Sequence, residues 1–377
     1  MKKKILSIFL LIFTILNLTS IKVFSDEFYK NTNTKDKKMV EAKVTEIKSN
    51  SRMLVKITNG DHKGEIVETN NTVADNASND SVSVQLRAQK GSRILLYIEE
   101  DSNGKIVYTL TQGFIKYKYI FWVVGLFCLL LILIGGKKGA KSLLTLIITG
   151  LLIIKVLVPL EMKGINPIIP TIIICILILL ISYAIISGLN RKTYAAMWGT
   201  SIGILISGTL AIIIGNAAKL KGVDESTLSS LIYICKERFN FVGFLFSGIL
   251  LSSLGAVMDV GISISSSMCE VEENNPEISN KDLLKSGMNV GRDIMGTMSN
   301  TLILAYAGEA LAVLMIAMSY NMSFIETLNQ DLIASEILKA VSGSIGIILT
   351  IPITAVLVIV FREKEKRDNK IEKQLYD

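Results

Sequence analysis

Two acids interrupt stretches that otherwise have the length and apolarity of membrane helices. Asp259 lies inside Phe241 to Met268, and Asp293 opens Asp293 to Tyr320; a short polar loop with Glu270, Glu272, Glu273 and Pro276 separates the two segments. At ~100° per residue, Gly248, Ser252, Gly255, Asp259, Ser263 and Ser266 form one stripe of the first helix. By the same spacing Asp293, Gly296, Thr297, Asn300 and Thr301 share one side of the second. Carboxylates inside a span are costly in hydrocarbon and mark ion or substrate traffic. Such stripes could bind a proton or small cation, or line a polar path for a small solute. The plainer alternative is that their hydroxyls and amides only hold helix to helix. With ~1.5 Å of rise per residue, Asp259 sits about 13 Å and Asn300 about 10 Å from the connecting loop. Antiparallel neighbours then place both at similar depth, and the expectation is a shared polar interior.

Other chemistries find little support. The single histidine, His62, excludes a HExxH zinc site and argues against a histidine-based nucleophile triad. It lies between Gly60 and Gly64 and reads as a solvated turn residue rather than a ligand. No GxxxxGK[ST] motif occurs, since Gly139-Ala-Lys-Ser142 lacks the upstream glycine spacing. Cys128, Cys175, Cys235 and Cys269 are scattered over apolar segments and their margins with no CxxC, which implies neither a disulfide framework nor a thiolate metal site. An acid-pair hydrolase using Asp259 and Asp293 rests on two carboxylates and nothing more. The expectation is a protein that is not an enzyme and has no cofactor or metal.

The elements that must position the two stripes follow from hydrophobic runs. Half of the 377 residues are hydrophobic, and the apolar residues come in runs of roughly 18 or more, the length that crosses hydrocarbon as a helix. The spacing predicts seven spans: Tyr119 to Ile134, Ser142 to Val158, Ile168 to Leu189, Tyr194 to Ala217, Phe241 to Met268, Asp293 to Tyr320 and Leu338 to Phe361. Residues 117–361 are thus a membrane domain, in contact with the lipid bilayer, and 362–377 a basic tail.

Ahead of it, Lys2, Lys3 and Lys4 precede the apolar run Ile5 to Leu18, and Val23 and Ser25 are small enough for signal-peptide cleavage before Asp26; residues 1–25 read as a signal peptide, with an uncleaved anchor as the alternative. Residues 26–116 change to charged, β-branched and turn residues. Candidate strands are Met39 to Ile47, Met53 to Thr58, Gly64 to Thr69, Val82 to Ala88, Ile94 to Glu99 and Lys105 to Thr111, which fit a small extracytoplasmic all-β barrel-like domain.

Charge supports one orientation. The net charge of +7 would suggest nucleic acid in a soluble chain, but here the basic residues sit at segment ends, and no nucleic-acid site is read. Lys137, Lys138 and Lys141, then Arg191 and Lys192, then Lys281, Lys285 and Arg292, and finally the Arg362 to Lys373 tail all fall on one side, which the positive-inside rule makes cytoplasmic. Lys219, Lys221, Lys236 and Arg238 fall on the other side. Two shorter segments there, Leu228, Leu231, Ile232, Cys235, Phe239 and Phe324, Ile325, Leu328, Leu332, recur at helical spacing and read as interfacial helices. Gly199, Gly203 and Ser207 on span four, and Gly343 and Gly346 on the last span, read as close helix packing. Each interfacial segment precedes a membrane helix, so spans four and five could repeat as spans six and seven.

Two motifs carry a family resemblance: Leu254-Gly-Ala-Val-Met-Asp259-Val-Gly-Ile-Ser-Ile-Ser-Ser-Ser, and Ser286-Gly-Met-Asn-Val-Gly-Arg-Asp293-Ile-Met-Gly-Thr-Met-Ser-Asn300-Thr-Leu-Ile-Leu-Ala-Tyr306-Ala-Gly308. Together with Gly64 to Asn71, Gly91 to Ile98, Gly135 to Gly139 and Ile351 to Ala355, the chain resembles the YibE/F-like family of bacterial multi-spanning membrane proteins. Glu309 departs from the small residues expected after Gly308. The resemblance implies a multi-pass cell-membrane architecture rather than an activity. Two function classes therefore stand: a secondary transporter or channel with Asp259, Ser252, Ser263, Asp293, Thr297, Asn300 and Thr301 on its polar path, or a membrane scaffold or sensor whose β domain binds a ligand or envelope partner. Oligomers are compatible with both.

Overall fold

The computed structural model describes residues 37–71, 88–223, 227, 229, 231–233 and 240–376, which fall into two compact units with a boundary at Val123/Val124. The first unit contains a five-stranded antiparallel sheet in the order β3-β2-β1-β4-β5. Its strands are β1 Lys37–Ile47, β2 Arg52–Ile57, β3 Ile66–Asn70, β4 Arg93–Glu100 and β5 Ile106–Phe114. Alternation decides which face is inside: Val40, Ala42 and Val44, Met53, Val55 and Ile57, and Ile94, Leu96 and Ile98 all point to one buried core. The sheet curls into a half-barrel whose edge strands meet through side chains rather than a ladder. Thr111 Oγ1 donates to Asn70 O at 2.6 Å, and Thr109 Oγ1 to Glu68 O at 2.7 Å. The candidate strand Val82 to Ala88 and the segment 1–25 lie outside the described residues, apart from Ala88.

His62 is not the solvated turn residue that its glycine neighbours suggest. Its side chain is only 10% exposed, with Nδ1 at 3.0 Å from Glu65 Oε1 and Nε2 at 3.1 Å from Glu100 Oε1. Lys38 also reaches Glu100, at 3.0 Å, so the imidazole closes a charged cluster over one end of the sheet. The reason is long-range: Glu100 ends β4, and no local pattern in the sequence brings it to residue 62.

The second unit holds most of six helices long and apolar enough to cross a membrane. The first is α1, Tyr117–Leu152, continued by a π turn, Ile153–Leu157, and α2, Val158–Met162. It contains both of the first two expected spans. They are divided at Gly136, whose φ of 52° and ψ of −130° suit glycine alone. A Cβ on Gly139 would lie 1.9 Å from Leu131 O, whereas residues eight apart in a straight helix are separated by about 12 Å, so the chain folds back here. The π turn precedes Pro159, which has no N–H to offer the Lys155 carbonyl.

The remaining helices are α3 Ile168–Ile186, α4 Arg191–Ala217, α5 Phe241–Asn274, α6 Asn280–Ser319, α7 Phe324–Leu328 and α8 Asp331–Tyr376. Their starts are written in the sequence as caps. Asn190 Oδ1 accepts from Thr193 N at 3.0 Å, Asn240 Oδ1 from Gly243 N at 2.9 Å and Ser279 Oγ from Asp282 N at 3.1 Å. Ser323 and Glu326 form a reciprocal capping box on α7, one of the two expected interfacial helices. Most of the other, around Leu228 to Phe239, lies outside the described residues.

Glycines set how close the helices come. A Cβ on Gly203 would lie 1.8 Å from Thr350 Oγ1 and 3.0 Å from Gly346 O, and one on Gly199 would lie 2.0 Å from Thr354 Oγ1. Thus α4 and α8 touch backbone to backbone where Gly346 meets Gly203 and Ser207, whereas Gly343 opens toward Leu302 of α6 and Ser253 of α5. Around this seam α5 buries Leu250, Leu254, Val257, Val260 and Ile264 against α3, α4, α6 and α8.

His62 gives this fold a pH dependence. Hydrogen bonding to the Glu65 carboxylate raises its pKa above the ordinary histidine value, with Glu100 adding to the effect and burial opposing it. A raised folded pKa means that the stabilisation is full below the unfolded value of about 6.5 and is lost as pH rises through the folded value. Histidine resonances in the full-length protein come from His62 alone. They should titrate above the free-histidine value, and the β unit's unfolding midpoint should fall over the same range, with His62→Gln abolishing that fall. A titration at or below the free value, or an unchanged pH profile in the variant, contradicts this.

Candidate functional site

The seven residues expected on the polar path all lie on the two expected helices, and all seven are exposed in the single chain. Ser252, Asp259 and Ser263 lie on the open side of α5, and Asp293, Thr297, Asn300 and Thr301 on that of α6. Gly248 and Gly255 on α5, and Gly296 and Gly308 on α6, have nothing within 4 Å of an added Cβ. The hydroxyls are turned back on their own helices: Ser252 Oγ donates to Ile249 O at 3.1 Å, Thr297 Oγ1 to Ile294 O at 2.9 Å and Thr301 Oγ1 to Thr297 O at 2.8 Å. Among the described residues neither Asp259 nor Asp293 has an ion-pair partner.

The shared interior expected between Asp259 and Asn300 is not formed within one chain. Leu302 on α6 is buried and points at Gly343 of α8, at the same place where Gly343 meets Ser253 of α5. Two residues back, Asn300 is about 160° round the helix from Leu302 and faces away from the bundle. On α5, Asp259 is about 120° from Ser253, so it too is turned from the α6 contact. Depth was legible from rise per residue, whereas facing depended on which side of each helix carries the larger apolar surface. Asp259 instead looks toward α3, within electrostatic reach of the Tyr183 hydroxyl. That hydroxyl donates to Met258 O at 2.8 Å and pairs with Thr200 Oγ1 at 2.9 Å, which ties α3, α4 and α5 together at the depth of the acid.

Burial singles out different acids. Glu161, at the end of α2, is 8% exposed, has an unpartnered Oε1 and lies beside Ser247, whose hydroxyl pairs with Thr171 Oγ1 at 2.7 Å. Glu336, on the second turn of α8, is 4% exposed. Neither stood out in sequence, because each lies at a span end, where an acid normally reaches water. The signal available was position: Glu336 is followed three residues later by Lys339, a local pair in the first turns of a span.

At the opposite ends of the helices Arg362, the first residue of the expected basic tail, is drawn into a charged clasp. Arg362 is 1% exposed. Its Nε donates to Glu272 Oε1 at 2.9 Å, and its two terminal nitrogens donate to Ile278 O, Asn280 Oδ1 and Pro276 O, each at 2.9 Å. Arg191, opening α4, holds the other carboxylate oxygen of Glu272 and reaches Glu365 at 2.9 Å. One carboxylate thus joins α4, α5 and α8, while the guanidinium fork of Arg362 satisfies the carbonyls of the α5–α6 loop. Among the described residues no group of three or more His, Cys, Asp or Glu is arranged to hold a metal ion.

Long apolar helices, glycine seams and acids carried on spans define a multi-pass α-helical membrane protein with an N-terminal half-barrel sheet. A family model described as YibE/F-like protein matches residues 123–364, more than half of the chain, and the chain belongs to that family. No curated protein and no solved structure matches it.

The clasp predicts a stability effect. Arg362→Met should lower the thermal unfolding midpoint of the purified protein, by a loss on the order of 3 kcal/mol, because Glu272 keeps only Arg191 and three further acceptors lose their donor. Arg362→Lys should recover only part, since an ammonium cannot span the four acceptors with one fork. An unchanged midpoint in the methionine variant would show that the clasp is idle.

Proposed function

We propose that this protein is a secondary transporter or channel that moves a proton, small ion or small polar solute across the cell membrane. Ser252, Asp259 and Ser263 on α5, and Asp293, Thr297, Asn300 and Thr301 on α6, contribute to its polar path. The observation that carries this reading is that two span carboxylates, Asp259 and Asp293, are without an ion-pair partner among the described residues. A lone carboxylate facing hydrocarbon is unfavourable by several kcal/mol, and a water-filled or solute-bearing path removes that cost. The second reading, a non-transporting scaffold or sensor, is favoured by one fact. The polar face of α6 is turned away from its own bundle, where a partner protein or another copy could meet it.

In this reading the basic loops face the cytoplasm, the β unit lies outside it, and residues 1–25 are a signal peptide. A reporter active only in the cytoplasm should work when fused after Lys373, and one active only outside should work when inserted at Asn79. The opposite result at either position overturns the orientation. For the activity, Asp259→Asn should abolish flux in liposomes, or its pH dependence, while leaving expression and insertion intact, because the amide keeps the shape of the side chain. A silent substitution in protein that does transport removes Asp259 from the path, and absence of flux for protons, common ions and small solutes favours the scaffold.

A further inference from the structure

Three buried or adjoining groups at the α6–α8 contact have no role in the path described above. Glu336 accepts from Lys339 Nζ at 2.5 Å through Oε1, but its Oε2 is without a hydrogen-bond partner among the described residues. Leu302 of α6 meets Gly343 of α8, so Glu309, seven residues further along α6, comes opposite Glu336, seven residues back on α8, and the two acids are within electrostatic reach of each other. The Tyr306 hydroxyl, on a residue 5% exposed, is also unpartnered and lies within electrostatic reach of both acids. Tyr306 and Glu309 are about 60° apart on α6, so both are on the side of the helix that meets the bundle. Unlike Glu336, Glu309 is exposed and gives the cluster an opening.

Charge counting then selects the occupant. Two carboxylates and one ammonium leave a single negative charge beside apolar helices. Carboxylates within electrostatic reach of each other in such surroundings do not both ionise, because the repulsion exceeds the gain from solvating either charge there. A proton between them neutralises the cluster and gives Glu336 Oε2 the donor that it lacks. Among the described residues the other charges at this end of α8 are Asp331, five residues before Glu336, and Lys219 and Lys221 after α4, with the Asp331 carboxylate accepting from Lys221 N at 3.1 Å. The half of α4 from Ile204 to Ala217 contains no titratable residue, and α5 presents Ser252 and Ser253. The nearest acid on α5 is Asp259, about 10 Å further along the helix. Glu326 on α7 is turned onto the Ser323 backbone N–H at 2.6 Å in its own cap.

We propose that Glu309, Glu336 and Tyr306 form a binding site for one proton, entered from Glu309, with Lys339 holding Glu336 in place. The site continues toward the α5 stripe, because the Tyr306 hydroxyl lies beside Ser252. It stands whether or not the protein transports, so its failure and the failure of the transport reading are separate results.

The test is infrared difference spectroscopy of the purified full-length protein on a shift of pH, reading the protonated-carboxyl band. Wild type should show such a band at neutral pH. Glu309→Gln and Glu336→Gln should each remove the same band, since either substitution leaves one carboxylate that no longer shares a proton. Tyr306→Phe should shift the band without removing it. Loss in Glu336→Gln alone would mean a lone buried acid and overturns the shared site, as does absence of the band from wild type. Sodium chloride, against choline chloride, should leave the band unchanged; if sodium removes it and raises the unfolding midpoint, the occupant is an alkali-metal ion and the proton assignment fails. Because Glu309 is exposed, Glu309→Gln decides the question even if Glu336→Gln does not fold.

Discussion

Hydrocarbon offers no hydrogen-bond partner, and the arrangement of the membrane unit depends on that constraint at the α4–α8 seam. Backbone contact between Gly203 and Gly346 leaves no room for a side chain, so the threonines that flank it must turn their hydroxyls inward. Thr350 does so by donating to Gly346 O at 2.8 Å. The close approach permits dispersion contacts along both helices, which in lipid replace the hydrophobic driving force available in water. Once α4 and α8 are fixed this closely, α5 has one remaining groove to fill, and its apolar side, from Leu250 to Ile264, fills it. The polar side of α5 is then outside by exclusion, which is why Asp259 is exposed rather than enclosed.

The same constraint sorts the charges by depth. At one end of the bundle, Glu272 is held by Arg191 and Arg362, and each guanidinium nitrogen of Arg362 has an acceptor. Arg191 and Glu365 of the clasp also border an open cleft with Tyr194, Trp198, Phe361 and Lys364. At the other end Glu161 and Glu336 each retain an unpartnered oxygen, together with Tyr306 and Ser335. Buried polar atoms without partners are unfavourable by roughly 1–3 kcal/mol each, so several gathered at one end of a bundle are not explained by packing.

Much of this was legible in the sequence, and what was not has a common cause. Strand alternation placed β1, β2 and β4 within two residues, and hydrophobic run length found the long helices, because both signals are local. The caps at Asn190, Asn240, Ser279 and Ser323 are equally local, although they were not read from the sequence. The direction in which a helix face points is not local. The Asn300 stripe was visible, but only the packing of Leu302 against Gly343 shows that it looks outward. His62 reads as a turn residue until β4 delivers Glu100, and Arg362 reads as the start of a basic tail until the α5–α6 loop delivers three acceptors. Glu309 was noted only as a departure from a small-residue pattern. Its meaning depends on α8, which supplies Glu336.

Taken together, the positions of the acids imply direction. Glu309 is open to the surroundings, Glu336 is enclosed behind it, and the unpartnered Tyr306 hydroxyl lies near Ser252 of the α5 stripe. From Ser252 to Asp259 is two helical turns on one face, about 10 Å. That interval is too long for direct proton transfer and is about the length of two or three hydrogen-bonded waters. The glycine between them, Gly255, leaves that face open. A side chain there would cover the gap, and its absence leaves a shallow polar trough along α5 rather than a packed helix surface. The trough is exposed in a single chain, so whatever lies over it, lipid, water or protein, determines whether the two ends communicate. In the proposed transport reading, the medium between Ser252 and Asp259 is the variable on which conduction would turn.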